Sequence, residues 1–148
     1  MNKHIPLSAI ATIKGSKNYP NIYGYILFRQ YSKGVLVTAR LFGLPYDEFL
    51  GFHIHEGNEC SGTSMEEFVN TGGHYNPKGL QHPYHSGDLP PLLSNNGEAY
   101  MSVLTNRFTI QEIIGRTAVI HSNSDDFKSQ PSGNSGVKIA CGVIKIKI

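Results

Sequence analysis

Short runs of β-branched and aromatic residues, each bounded by glycine, proline, asparagine or serine, recur along this chain of 148 residues. Such runs are typical of strands, and none keeps the i, i+3, i+4 apolar spacing of a helix for long. They cover residues 6–14, 22–31, 34–42, 49–55, a stretch near 88–94, 98–105, 116–121 and 138–147. The sequence therefore predicts an all-β, eight-stranded antiparallel sandwich or barrel.

Length and composition agree with one globular domain spanning residues 1–148. The 16 glycines and 8 prolines, with no tryptophan, indicate many turns and few long helices. Asn95, Asn96 and Gly97 stand between two predicted strands, and Asn and Gly tolerate the positive φ of a type I′ hairpin turn. We therefore expect a tight hairpin at this point.

Charge and apolar run length argue against two classes of partner. Thirteen Lys and Arg against eleven Asp and Glu leave a formal net charge of +2, so we expect no nucleic-acid partner. No apolar run approaches the roughly 20 residues of a membrane span, so we expect no membrane partner.

The N-terminal MNKHIPLSAIATIKG lacks the pattern of a signal peptide. We expect a cytoplasmic protein, or a periplasmic or extracellular one if a leader has been trimmed.

Two long stretches interrupt the strand pattern, residues 56–87 and 122–137. Neither has apolar periodicity, although residues 66–69 are compatible with one helical turn. Long structureless segments in a compact domain are usually functional or disordered. The first stretch contains three of the seven histidines, which favours a functional loop.

A pair of histidines lies in the predicted strand that contains Gly51 to Glu56. The strand period of two places Phe52 and Ile54 on one face and His53 and His55 on the other. Two imidazoles on one face of a rigid strand form a preorganised site for copper, zinc, nickel or iron. Two polar residues on a solvated face are the alternative interpretation.

Three more imidazoles and a carboxylate follow in the chain, at His74, His82, His85 and Asp88. A closed set of three His and one Asp is more often a structural zinc site than a catalytic one. The alternative is a histidine-rich loop exposed to solvent. This spacing favours zinc.

His121 ends a β-branched run and is followed by Asp125. A single histidine at a strand end is most often a surface or capping residue. The nearby carboxylate is placed to accept a ring N–H and orient the imidazole as a metal ligand.

Taken in order, five motifs resemble those of the copper/zinc superoxide dismutase family: G-F-H-I-H-E, G-G-H-Y-N-P, H-P-Y-H-S-G-D-L-P, I-I-G-R-T-A-V-I-H-S-N-S-D-D and G-N-S-G-V-K-I-A-C-G-V-I. The resemblance extends from about residue 7 to 148. It implies a Greek-key β-barrel or flattened sandwich with two long functional loops. It also implies dismutation of superoxide to oxygen and hydrogen peroxide, by alternate reduction and reoxidation of a copper ion.

The same resemblance implies two metal sites. Copper is expected on His53, His55, His74 and His121. Zinc is expected on His74, His82, His85 and Asp88. His74 would then be a bridging imidazolate between the metals, and Asp125 would accept hydrogen bonds from His53 and His82. Arg116 matches a basic residue that packs this region in the family, and we assign it no chemistry.

Two departures from the family pattern are informative. Lys138 stands where the family has its substrate-guiding arginine, which keeps the charge but removes the planar fork of donors. Four residues separate His55 from Cys60 and thirteen separate Cys60 from His74. Many eukaryotic relatives show the reverse balance, so the chain resembles bacterial members.

The two cysteines, Cys60 and Cys141, permit one disulfide or a pair of reduced buried thiols. The count alone leaves both open, whereas the family resemblance implies that they are bonded. A disulfide in turn favours an oxidising compartment.

Two other functions compete with dismutation of superoxide. A copper and zinc carrier or buffer of the same fold needs the same ligands but no cation beside copper. Zinc-dependent hydrolysis needs a general base, and no Glu or free His stands in an obvious position for one. Dimer surfaces differ between lineages of the family, so a homodimer is compatible with this sequence but is not specified by it.

Overall fold

The computed structural model describes residues 6–148, which form nine strands and one short α-helix. They are β1 (Ser8–Gly15), β2 (Tyr23–Tyr31), β3 (Gly34–Phe42), β4 (Phe49–Leu50), β5 (Phe52–His55), β6 (Leu92–Leu93), β7 (Ala99–Thr105), α1 (Ile110–Ile113), β8 (Thr117–His121) and β9 (Lys138–Ile146).

Seven strands form one antiparallel sheet in the order β5-β8-β9-β1-β2-β3-β7, and β4 pairs with β6 in a second, smaller sheet. The pairs β3–β7 and β5–β8 join strands distant in the chain, so connections cross between the two ends of the sheet. This is the Greek-key architecture that the family resemblance implies. It brings both long loops to the end of the molecule where β5 and β8 lie side by side.

Gly51 divides the predicted strand 49–55 into β4 and β5. Its N–H donates to Asn123 O at 2.8 Å and its carbonyl accepts from His121 N at 2.8 Å. A side chain here would collide, because a Cβ would lie 2.7 Å from the Ser135 hydroxyl oxygen. The glycine lets the chain pass from β4, which pairs with β6, to β5, which pairs with β8. The predicted strand near 88–94 is reduced to the short β6.

Helix α1 is absent from the sequence prediction. The Thr109 hydroxyl accepts from Glu112 N, and the Glu112 carboxylate accepts from Thr109 N, which is a capping box. Both isoleucines of the helix, Ile110 and Ile113, are fully buried. The turn predicted over 66–69 occurs slightly later, as a 3₁₀ turn at Val69–Thr71. No helix within residues 6–148 is long and apolar enough to cross a membrane.

The predicted hairpin is present at Asn95 to Glu98, where the two end residues pair as an isolated antiparallel bridge. Asn96 and Gly97 take φ values of 50° and 86°, as a type I′ turn requires. The core lies against one face of the large sheet, where alternate residues of β1, β2 and β3 are buried, whereas β5 and β8 are buried on both faces. Its largest members are Phe28, Phe52, Ile13, Ile26 and Leu41.

A disulfide joins Cys60 of the first long loop to Cys141 of β9, with a Cα–Cα separation of 5.8 Å. Phe68 and Val119 pack against it in a small buried cluster. The pairing implied by the family resemblance is therefore confirmed. It closes a loop of 81 residues and fixes the first long loop to the last strand.

We expect that replacing both Cys60 and Cys141 by alanine lowers the free energy of unfolding by about 2–4 kcal/mol. The crosslink restricts the unfolded chain, and its loss restores that conformational entropy. Urea unfolding of the metal-free protein measures the change. Adding a thiol reductant should shift the parent to the same midpoint and leave the variant unchanged; equal midpoints for oxidised parent and variant would contradict the expectation.

Candidate metal centre

Ile54, at the centre of β5, holds three segments of the chain together by backbone hydrogen bonds. Ile54 N donates to Gly87 O at 2.8 Å, Tyr75 N donates to Ile54 O at 2.8 Å, and Gly87 N donates to Tyr75 O at 2.9 Å. The Ile54 side chain is fully buried in the core. The residues next to these three are the predicted ligands His53, His55, His74 and Asp88.

Gly87 is required at this junction because the backbones approach so closely. A Cβ at residue 87 would lie 2.2 Å from Ile54 O. Real side chains do not tolerate such a contact, so any substitution would push the segment that carries Asp88 away from β5. The glycine of H-S-G-D thus has a steric role as well as a place in the motif.

The predicted copper ligands converge. Ligand atoms of His53, His55, His74 and His121 all lie within 4.8 Å of one another, and each residue is at most 7% exposed. His55 Nδ1 donates to Gly72 O at 2.8 Å, and His121 Nδ1 donates to Gly136 O at 3.4 Å. The two Nε2 atoms are therefore unprotonated in the neutral rings. They face each other at 3.1 Å, an arrangement that a cation stabilises.

The predicted zinc ligands converge beside the copper group. His74 Nδ1 lies 2.8 Å from Asp88 Oδ1 and 3.2 Å from His85 Nδ1. Asp88 Oδ2 lies 3.1 Å from His82 Nδ1 and 3.2 Å from His85 Nδ1. The imidazole and carboxylate atoms are of the types that zinc prefers.

Ligand atoms of four residues also lie within 4.8 Å of one another, those of His53, His74, His82 and Asp88. This group contains His53 in place of the predicted zinc ligand His85. His85 and His53 differ in how they contact His74. His85 Nδ1 touches ligand atoms of both His74 and Asp88. His53 instead stacks its ring on the ring of His74, at 3.9 Å between centroids.

Three buried ring nitrogens of the described residues have no hydrogen-bond partner: His53 Nδ1, His74 Nε2 and His82 Nδ1. His82 Nδ1 is close to Asp88 but does not form a hydrogen bond with it. Each such buried atom costs about 1–3 kcal/mol when it is left unpaired. Coordination of copper and zinc would satisfy all three, so this donor set fits the two metals.

Asp125 connects the two groups from behind. Its carboxylate accepts from His53 Nε2 and from His82 Nε2, each at 2.8 Å. Burial alone would raise the pKa of Asp125, but hydrogen bonds from the two rings and from Phe127 N hold it well below its ordinary value. The carboxylate therefore stays ionised, and it leaves each Nδ1 available as a ligand.

Within the second long loop, Gly133 lies against the Asp125 carboxylate. A Cβ at this glycine would lie 2.0 Å from Asp125 Oδ1 and 2.6 Å from His82 Nε2. The same loop contributes Gln130, whose amide clamps the backbone of His82. Gln130 Oε1 accepts from His82 N at 2.9 Å, and Gln130 Nε2 donates to His82 O at 2.8 Å. The sequence analysis did not identify Gln130, because an amide in a polar loop has no distinctive pattern.

Burial keeps the copper-side rings neutral. It lowers the pKa of His53 to about 4 despite the opposing hydrogen bond to Asp125, and it lowers the pKa of His121 to about 3 with help from the neighbouring His53. The pKa of His55 also falls well below 6.5, first through burial and then through His121. Metal binding requires deprotonated imidazole, so these rings are ready to bind at neutral pH.

Lys138 lies at the edge of a cleft beside the predicted copper ligands. Its ammonium donates to Thr71 Oγ1 and Gly72 O, each at 2.9 Å, and to Phe68 O at 3.5 Å. A cavity of about 350 Å³ is lined by Lys138 together with His55, His74, His85 and His121. Burial lowers the pKa of Lys138. The predicted guiding cation is thus next to the copper group.

Arg116 has a packing role, as predicted. Its guanidinium lies 4.1 Å above the ring of Tyr75, and Nη1 donates to Glu56 O at 3.0 Å. Tyr75, which the sequence analysis passed over, donates its hydroxyl to Glu112 at 3.1 Å. The residue after His74 is therefore attached to helix α1, and the H-Y-N-P motif was the available signal for it.

Comparison with known proteins assigns the family. A family model described as copper/zinc superoxide dismutase matches residues 22–144. The chain is 37% identical over 129 residues to superoxide dismutase [Cu-Zn] 2 of Aquifex aeolicus, with 77% of this chain and 74% of that protein covered. It is 37% identical over 134 residues to superoxide dismutase [Cu-Zn] of Legionella pneumophila, with 85% and 80% covered.

A solved structure has a similar fold. A double mutant of a SOD-like protein from Bacillus subtilis superposes with a TM-score of 0.80 at 27% identity, covering 90% of this chain and 95% of that one. The chain belongs to the copper/zinc superoxide dismutase family. It is an enzyme that dismutates superoxide to oxygen and hydrogen peroxide, with copper and zinc as cofactors.

We expect Asp125→Ala to weaken the binding of both metals, by about tenfold to a hundredfold, because two ligand rings lose the partner that orients them. His85→Ala should weaken zinc binding more than copper binding, because His85 contacts ligand atoms of the zinc group. Titration with a chelator, followed by metal analysis, gives both affinities. Equal loss of copper and zinc in His85→Ala would contradict the assignment of the two groups.

Proposed function

We propose that dismutation takes place at a copper ion held by four imidazoles, those of His53, His55, His74 and His121. The adjoining zinc is proposed to bind His74, His82, His85 and Asp88. One observation carries the proposal: His74 belongs to both groups. Its Nδ1 faces Asp88 and His85, while its buried Nε2 has no hydrogen-bond partner. A ring with one nitrogen toward each group is suited to act as a bridging imidazolate.

When bound, copper supplies one-electron redox chemistry and zinc supplies charge and structure without changing its oxidation state. In this assignment His74 Nδ1 faces the zinc group. His74 Nε2 is therefore the ring nitrogen that can take up and release a proton. Asp125 keeps the rings of His53 and His82 in fixed orientations during the reaction. Lys138 is proposed to guide the superoxide anion toward the cleft, which is supported by its place beside His55 and His121.

The proposal is tested by loading the protein with copper and zinc, measuring both metals, and following superoxide consumption by pulse radiolysis. We expect one copper and one zinc per chain and rapid consumption of superoxide. His121→Ala should lose copper and activity but keep zinc, because His121 contacts only the copper group. A parent protein that holds both metals yet consumes superoxide no faster than the metal-free protein would instead be a carrier or buffer.

We also propose that two copies of the chain form a homodimer through the outer face of β2, β3 and β7. This face exposes Tyr23 and Tyr100, which are 60% and 65% exposed. Tyr23 stacks on Phe42 at 5.1 Å, and the Arg40 guanidinium lies over both Phe42 and Tyr100. Contiguous exposed aromatic surface of this kind marks protein interaction sites.

Sedimentation equilibrium tests the homodimer. The parent should sediment as a dimer, and Tyr23→Glu combined with Tyr100→Glu should give a monomer, because charge at the centre of an apolar contact is costly to desolvate. Tyr84→Glu is a matched control, since Tyr84 is 64% exposed but lies in the zinc-binding segment. A parent that sediments as a monomer at all concentrations would refute the proposal.

We further propose that the protein acts outside the cytoplasm, in a periplasmic or extracellular space. The disulfide between Cys60 and Cys141 supports this, because disulfides persist in oxidising compartments and are rare in the cytoplasm. Cell fractionation followed by immunodetection is the measurement.

A further inference from the structure

Arg107 lies in the connection between β7 and α1 and contacts the segment of residues 82–88, which carries three of the proposed zinc ligands. Its Nη1 donates to Pro83 O at 2.6 Å and to His85 O at 3.4 Å. A guanidinium is permanently charged, and hydrogen bonds from a charged donor are stronger than those from a neutral one. Arg107 therefore holds the backbone of this segment directly.

The carbonyl of His85 also belongs to the turn that connects two zinc ligands. Asp88 N donates to His85 O at 3.1 Å, and His85 N donates to Asp88 Oδ2 at 3.0 Å. This turn fixes how the imidazole of His85 and the carboxylate of Asp88 are presented to each other. Since Arg107 donates to the same carbonyl, it restrains the turn that orients both ligands.

The backbone of Arg107 is itself held in place. Its N–H donates to Thr105 Oγ1 at 3.2 Å. The next residue, Phe108, is buried in the core, where its ring meets the ring of Phe28 edge-on at 6.3 Å between centroids. Helix α1 then begins with its capping box. The guanidinium thus extends from a rigid part of the fold, and its hydrogen bonds restrain residues 82–88 relative to the core.

Open space lies beside this contact. A cavity of about 380 Å³ is lined by Arg107 and Pro83 together with Asp88 and Asp125. Among residues 6–148, no residue lines both this cavity and the cavity beside the copper ligands. A segment that borders open space is held less by packing, so its hydrogen bonds matter more on this side.

We propose that Arg107 is a positioning residue for zinc, which slows zinc release by fastening residues 82–88 to the connection between β7 and α1. The inference rests on the proposed zinc ligands and adds a residue outside the ligand set. Both acceptor carbonyls belong to the zinc-binding segment, so loss of Arg107 should affect zinc more than copper. Both hydrogen bonds come from one nitrogen. A lysine ammonium, with three donors, is therefore able to replace them in part.

The experiment measures the rate at which a chromophoric chelator removes zinc from the copper- and zinc-loaded protein. We expect zinc release to be about tenfold faster in Arg107→Met and within about threefold of the parent in Arg107→Lys. Arg29→Met is the matched control, because Arg29 is an exposed arginine of β2, and it should release zinc at the parent rate. Release at the parent rate in Arg107→Met would overturn the proposal, as would equal acceleration in Arg29→Met.

Cobalt(II) bound in place of zinc reports how the ligands are arranged, because its visible absorption depends on coordination geometry. We expect Arg107→Met to shift or broaden the cobalt band and Arg107→Lys to restore the parent spectrum. A general loss of stability would lower the unfolding midpoint without changing this band. An unchanged band in Arg107→Met would therefore refute the positioning role.

Amide hydrogen exchange in the full chain before metal loading tests the fastening without zinc. Exchange in residues 84–88 should speed up about fivefold or more in Arg107→Met and stay near the parent rate in Arg107→Lys. Unchanged exchange in Arg107→Met would contradict the inference. A parent protein that binds no zinc would count against the proposed zinc ligands, while the exchange rates would still decide whether Arg107 fastens the segment.

Discussion

The backbone hydrogen bonds of Ile54 are the constraint on which the metal centre depends. They join β5 to Tyr75 and to Gly87, so three segments of the chain are held in one register. The isoleucine side chain is fully buried in the core, which makes any shift of β5 costly. One face of β5 packs in the core and the other presents ligands to the metal centre, so core packing restrains the positions of those ligands. Such preorganisation is what a metal site of defined geometry requires.

This rigidity is obtained at the cost of burying imidazoles that lack partners in the metal-free chain. Neutral rings avoid the larger cost of buried charge, which is why burial depresses the pKa of His53 and His121. The unpaired nitrogens still oppose folding, whereas the disulfide and the continuous core favour it. Metal ions bind the folded arrangement and not the dispersed ligands of the unfolded chain. Their binding free energy therefore adds to the stability of the fold.

The sequence predicts the fold class from the strand pattern, and the resemblance to the family implies the convergence of the site residues. His53 and His55 share a face through the period of two, and the histidine motifs indicate which other side chains join them. The break at Gly51 was not predictable, because it depends on contacts with residues far along the chain. Helix α1 has four residues, too few for periodicity, although the Thr109–Glu112 pair is a capping signal. The clamp by Gln130 joins residues 48 apart and leaves no local pattern.

Gln130 and Asp125 both belong to the loop over residues 122–137, and both attach to His82. The zinc-binding segment and this loop consequently share their hydrogen bonds around one residue, and neither can detach without leaving buried polar atoms of the other unpaired. Local opening in such an arrangement involves both loops as one cooperative unit. Asp125 is also bonded to His53, so that unit includes the copper side. Loss of order at zinc would therefore reach copper through the protein, even though the two metals have mostly separate ligands.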